Sequence, residues 1–172
     1  MFHARPDGSS ERYTNVDGLS AIDYTAIAID AEGVIVAGAS TGTINVYRPG
    51  SGWDEVADIS RAEEIPARGI TTIVIRSGMA YIGTEFGLAV YDLARREFGD
   101  TYQKFGTLPL RSRVNAVHFD GTRIWVATAA GVAVGDLNNI NLKDPGAWTS
   151  WDADNGQSFG DDGSTSGSAD DE

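Results

Sequence analysis

Thr71–Asp92 reads TTIVIRSGMAYIGTEFGLAVYD. Three apolar runs, Ile73-Val74-Ile75, Ala80-Tyr81-Ile82 and Leu88-Ala89-Val90, are separated by two glycine-bearing turns. Short runs rich in β-branched and aromatic residues between such turns are strands, because a helix needs about ten residues of 3.6-residue periodicity. Two further stretches repeat the pattern: Thr25–Tyr47, TAIAIDAEGVIVAGASTGTINVY, and Asn115–Asp136, NAVHFDGTRIWVATAAGVAVGD. Gly42, Gly87 and Gly131 recur at intervals of 45 and 44 residues; Gly33, Gly78 and Gly121 recur at 45 and 43.

After each triplet comes a more polar run with an aromatic: Trp53 in the first, Tyr102 and Phe105 in the second, Trp148 and Trp151 in the third. Four strands per roughly 45 residues is the period of a propeller blade. The continuous apolar runs suit inner strands packed by neighbouring blades on both faces, and the outer strand faces solvent. The expected fold is therefore all-β: a partial β-propeller of about three four-stranded antiparallel blades, near residues 24–57, 70–105 and 113–151. Leu19-Ser20, Ile65-Pro66 and Leu108-Pro109 precede the first strands, and Tyr13-Thr14 reads as the outer strand of a preceding blade. Blades and leading strand span 12–151, residues 1–11 read as a disordered N-terminus, and 152–172 as a disordered, acidic Gly/Ser-rich tail.

Composition removes several function classes. The net charge is −12, with seven acids and no base from Asp152 onward, leaving 18 acids against 13 bases before it. No basic stripe is present, so nucleic acid is not an expected partner. There is no cysteine, hence no disulfide, thiolate metal site or Cys nucleophile. No run approaches the roughly 20 apolar residues of a transmembrane helix, and MFHARPDGSSER carries no signal-peptide apolar segment. The two histidines, His3 and His118, are not spaced as a metal pair. Gly38–Gly42, GASTG, lacks the Lys and following helix of a phosphate loop and reads as a β-turn. Asp152-Ala153-Asp154-Asn155-Gly156 begins like a calcium loop, but its glycine comes one position early and no Glu closes it. No catalytic residue, cofactor or metal is expected. A carbohydrate-active enzyme ranks last; Asp30 and Asp92 are its only strand-end acids, and both sit where acids shape turns.

Strand polarity yields the candidate site. If blade strands run A to D from the inside and alternate in direction, the B–C turns and D–A linkers share one face of the disc. That face collects Arg68, Arg111 and Arg113 from linkers, and Glu85 and Phe86 from a B–C turn. Arginines beside an aromatic are common on contact surfaces.

Taken together, Asp17-Gly18-Leu19, the Asp30-Ala31-Glu32-Gly33 turn, Ile82-Gly83-Thr84 with Gly87-Leu88 and Tyr91-Asp92, and Ile124-Trp125-Val126-Ala127-Thr128 with Gly131-Val132 resemble the two-component-regulator propeller repeat over residues 12–151. The resemblance implies a sensor-type module that binds a protein, small-molecule or carbohydrate ligand in the periplasm or outside the cell. It equally implies a structural adaptor, as in similar propellers of type IX secretion. Family rings hold about seven blades, so three blades imply a piece of a larger ring, a degenerate copy, or a homo-oligomer that completes one.

Overall fold

The computed structural model describes residues 2–4, 10–61, 68–139 and 141–152. Three four-stranded antiparallel sheets follow one another in the chain. Blade one is β3 (Tyr24–Ile29), β4 (Ile35–Ala39), β5 (Ile44–Arg48) and β6 (Gly52–Val56). Blade two is β7 (Ile70–Arg76), β8 (Met79–Thr84), β9 (Gly87–Asp92) and β10 (Glu97–Tyr102). Blade three is β11 (Val114–Asp120), β12 (Arg123–Thr128), β13 (Gly131–Asp136) and β14 (Trp148–Asp152). Ahead of them β1 (Phe2–Ala4) pairs with β2 (Ser10–Arg12). Among the described residues no helix is long and apolar enough to cross a membrane.

Local chemistry sets the turns. Asp30 Oδ1 accepts from the backbone of Glu32 and Val34, and Gly33 takes φ 82°. Asp92 Oδ1 does the same for Ala94 and Arg95. Both aspartates thus close turns, the role their positions in the repeat suggested.

Blades stack by apolar faces. Val36, Ile44 and Val46 of blade one meet Ile73, Ala80 and Ile82 of blade two. Leu88 and Val90 on the other face of blade two meet Val117, Ile124 and Val126 of blade three. Each of these valine, leucine and isoleucine side chains contributes about 1.5–3 kcal/mol when removed from water. Glycine permits the close approach: a Cβ on Gly38 would lie 2.4 Å from Ile70 Cγ2, and one on Gly83 would lie 2.5 Å from Thr72 Cγ2 and 3.0 Å from Val114 Cγ1.

Every first strand carries a bulge at the same place, between Tyr24 and Ala26, Ile70 and Thr72, and Val114 and Ala116. The bulged residue leaves the ladder, and its side chain turns to the next blade. Thr25 Oγ1 donates to Ile70 O at 2.5 Å, and Thr71 Oγ1 donates to Val114 O. Farther along, Arg48 Nη2 donates to Leu93 O at 3.0 Å and Arg76 Nη2 to Gly121 O at 2.6 Å.

The ends of the stack differ from its middle. Ile27, on the face of blade one turned away from blade two, is 50% exposed; its repeat partners Ile73 and Val117 are 7% and 8% exposed. Outward of Ile27 that face is covered. Leu19 is buried, and the fully buried Asn45 accepts from Ser20 N, Ser20 Oγ and Tyr24 Oη while donating to Gly18 O. β2 ends twelve residues before β3 begins, the interval that separates β10 from β11. The β1–β2 ribbon therefore holds the chain position of the outer two strands of a preceding blade.

Two details of the N-terminus depart from the sequence reading. The leading strand lies at Ser10–Arg12 rather than Tyr13-Thr14, and Phe2–Ala4, inside the stretch read as disordered, is its partner. Tyr13 instead packs its ring against Tyr47 and Trp53, and Thr14 N and Oγ1 bind Asp17 Oδ2 to start a tight turn. The tail beyond Asp152 and the Ile65-Pro66 connector lie outside the described residues.

Replacing Asn45 by Ala removes the acceptor of three hydrogen bonds from a fully buried position. Urea unfolding of Asn45→Ala should show a loss of about 2–3 kcal/mol; a change below about 0.5 kcal/mol would mean that this network does not hold the N-terminal segment to blade one.

Candidate functional site

The B–C turns and D–A linkers lie together. Ser40 N donates to Asp23 O at 3.0 Å, Glu85 N to Gly69 O at 3.1 Å, and Ala129 N to Arg113 O at 2.8 Å, once per blade. A Cβ on Gly42 would lie 3.0 Å from Arg68 Cβ. The five candidate residues take three different roles on this face.

Phe86 is not a surface aromatic. It is 5% exposed and packs in the core shared by blades one and two. Thr84 Oγ1 accepts from Phe86 N and donates to Gly87 O, closing the turn that sends the ring inward. Glu85 is half-buried, and its Oε2 accepts from Gly69 N at 3.2 Å. Arg68 is also half-buried and donates from Nη1 to Ser60 O at 2.7 Å within its own linker. Glu85 thus joins turn to linker, and Arg68 braces the linker itself.

Arg111 and Arg113 are exposed, and neither guanidinium makes an ion pair among the described residues. The linker that carries them is closed by its own hydrogen bonds. Arg111 takes φ 59°, and its N–H donates to Gln103 O at 2.7 Å. Ser112 Oγ donates to Pro109 O at 2.8 Å, and Lys104 Nζ reaches Leu108 O. Leu108 is fully buried, whereas Leu110, two residues on, is 63% exposed. The result is a braced tip that shows one leucine among three cations, Lys104, Arg111 and Arg113. Sequence reading had not singled out Leu110; an apolar residue directly after the Leu108-Pro109 anchor was the available sign.

A cleft of about 370 Å³ lies away from this tip, between blades two and three at their A–B and C–D turns. Tyr81, Asp92, Arg95, Glu97, Asp100 and Tyr102 are among its lining. Its three carboxylates meet two cations: Arg95 lies beside Asp92 and Glu97, and Lys143 Nζ is 2.7 Å from Asp100 Oδ1. Burial, reinforced by the Asp100 carboxylate, pushes the Tyr102 phenol up to about 12. Burial also raises Tyr24, Tyr81 and Tyr91. Among the described residues no group of three His, Asp or Glu is placed to hold a metal ion.

Residues 1–149 match the family model described as the N-terminal β-propeller domain of PorZ of the type IX secretion system. Among solved structures, the chain is similar to PorZ of Porphyromonas gingivalis, titled an essential bacterial surface component of that system: 22% identity and TM-score 0.69, over 83% of this chain and 18% of that one. It is also similar to the extracellular domain of the putative hybrid two-component system BT4673 from B. thetaiotaomicron: 20% identity and TM-score 0.57, over 78% of this chain and 16% of that one. A third similarity is to the computationally designed Ika4 protein, with 17% identity and TM-score 0.54, over 70% of this chain and 69% of that one. The chain thus spans under a fifth of the two natural proteins. No curated protein matches it.

An ultraviolet titration of the phenols should resolve a group that ionises well above the ordinary range. Folding raises Tyr102 from 10.0 to about 12. Its neutral form therefore adds stability that is complete below pH 10 and is lost as pH rises from 10 through about 12. Tyr102→Phe should remove the latest-titrating phenol; an unchanged curve would contradict the assignment.

Proposed function

This chain belongs to the family of N-terminal β-propeller domains of the type IX secretion component PorZ, and on that footing we propose that it is a non-catalytic binding module which meets its partner through the linker and B–C turn face of the blades. The observation that carries this reading is the tip at Leu108–Arg113. It offers an apolar residue and two guanidiniums that make no ion pair among the described residues, on backbone already fixed by hydrogen bonds, so little further ordering is needed on contact. Guanidinium forks suit carboxylates and phosphates. The partner is accordingly a surface that sets an anionic group beside an apolar notch.

Family membership also favours an adaptor role within a secretion assembly, in which the partner is another protein of that machinery. PorZ is titled an essential surface component of such a system.

Arg111→Glu/Arg113→Glu reverses the charge of the tip without touching the core. Wild type and variant, immobilised side by side, are exposed to cell-envelope extract and the retained proteins quantified by mass spectrometry. The reading expects a protein held by wild type and at least about tenfold depleted on the variant, equivalent to roughly 1.4 kcal/mol, with the melting temperature unchanged. An identical set on both surfaces would remove the tip from the contact.

A further inference from the structure

The last described residue, Asp152, lies beside the linker that carries two exposed cations, Arg111 and Arg113. In the last sheet, β14 pairs with β13 so that Asp152 lies opposite Gly131. Gly131 is in turn wedged against the third linker. A Cβ there would lie 2.9 Å from Leu108 Cδ2 and 2.9 Å from Asp152 Cα. Ala129, two residues before it, donates its N–H to Arg113 O, and Thr107 N donates to Ser150 Oγ at 2.9 Å. Residue 153 therefore follows directly from the edge of the Leu108–Arg113 tip.

Charge makes the juxtaposition directional. The twenty residues after Asp152 contain six acids, no base and one large apolar residue, Phe159. The tip offers Arg111 and Arg113 without ion pairs among the described residues, Lys104 beside them, and the exposed Leu110. Most other cations are engaged elsewhere: Arg48 and Arg96 with Asp54, Arg95 with Asp92 and Glu97, Lys143 with Asp100, Arg76 on Phe119 and Gly121 O. A Gly/Ser-rich chain of twenty residues has a root-mean-square span of about 25 Å, so the tip is well within reach of the tail.

We propose that residues 153–172 dock in cis on the Leu108–Arg113 tip, their carboxylates on Arg111 and Arg113 and Phe159 against Leu110. This rests on the reading of the tip as an anion-contact surface and adds to it a resident occupant. Exposed ion pairs are individually weak, but tethering places the tail at an effective concentration in the millimolar range. The occupant thus excludes weak anions and yields to a partner that offers a better matched acidic surface. Its hold falls as salt shortens the Debye length.

The absence of cysteine makes the test direct. Ser164→Cys in the full chain carries a single nitroxide label, and paramagnetic broadening is read at every backbone amide. The expected result is broadening concentrated at Leu110–Arg113. It should fall at least about threefold in the Arg111→Glu/Arg113→Glu background, and likewise in about 0.5 M salt. Asp161→Asn/Asp162→Asn in the labelled chain should act in the same direction while leaving the folded body untouched. Broadening spread over the surface, or concentrated at the tip but indifferent to charge reversal, would overturn the proposal. This outcome is separable from that of the extract experiment. Localised, charge-dependent broadening with no envelope partner sustains cis docking alone; a partner lost on charge reversal with no localised broadening sustains the contact face alone.

Discussion

The bulge near the start of each blade's first strand is the constraint on which the rest depends. A sheet can satisfy its backbone internally, but a stack of sheets needs a defined registration between neighbours. Thr25 and Thr71 supply it. Each leaves its own ladder at the bulge and donates to the carbonyl that precedes the bulge of the next blade. Because acceptor and donor sit on adjacent residues, Ile70 with Thr71 and Val114 with Asn115, the same contact can propagate from blade to blade. Gly38 and Gly83 then let the facing sheets close to contact distance, and the aliphatic faces fill the space between. Packing supplies the energy, and the bulge fixes where it is applied.

That arrangement leaves the middle blade covered on both faces by neighbouring blades and each outer blade by one, the N-terminal segment covering part of the outward face of blade one. Ile27 shows it at one end. At the other, the outward face of blade three presents Trp125 stacked on Trp151, with Val132 and Val134 half-exposed and Asn115 exposed at the position of the two threonines. The same geometry serves the candidate contact surface. Since every B–C turn is tied to a linker by one backbone hydrogen bond, the linkers are held against the blades while their tips stay free to differ. The third linker uses that freedom to display Leu110, Arg111 and Arg113.

Much of this was legible in the sequence. Glycine spacing and short β-branched runs specify the all-β class, the four strands per sheet and the shared face of turns and linkers, because these follow from period and polarity alone. Side-chain direction inside a turn does not. Phe86 reads as a surface aromatic until the Thr84 hydroxyl is seen closing the turn and aiming the ring at the core. Arg68 reads as a free cation until its contact with Ser60 O appears. The bulges were equally hidden, since one extra residue in a β-rich run leaves the hydrophobic pattern almost unchanged. At the N-terminus, Tyr13 reads as a strand residue by propensity, yet its contacts with Tyr47 and Trp53 draw it out of the strand.

If inter-blade registration and packing hold the molecule together, stability must be greatest in the blade covered on both sides. Native-state hydrogen exchange of the whole chain, resolved by residue, tests this most directly. The account predicts the slowest exchange in β8 and β9, at the global unfolding free energy, with β4, β5, β12 and β13 exchanging faster through partial opening at either end. Uniform protection across the three blades, or slower exchange in an outer blade than in β8 and β9, would contradict it.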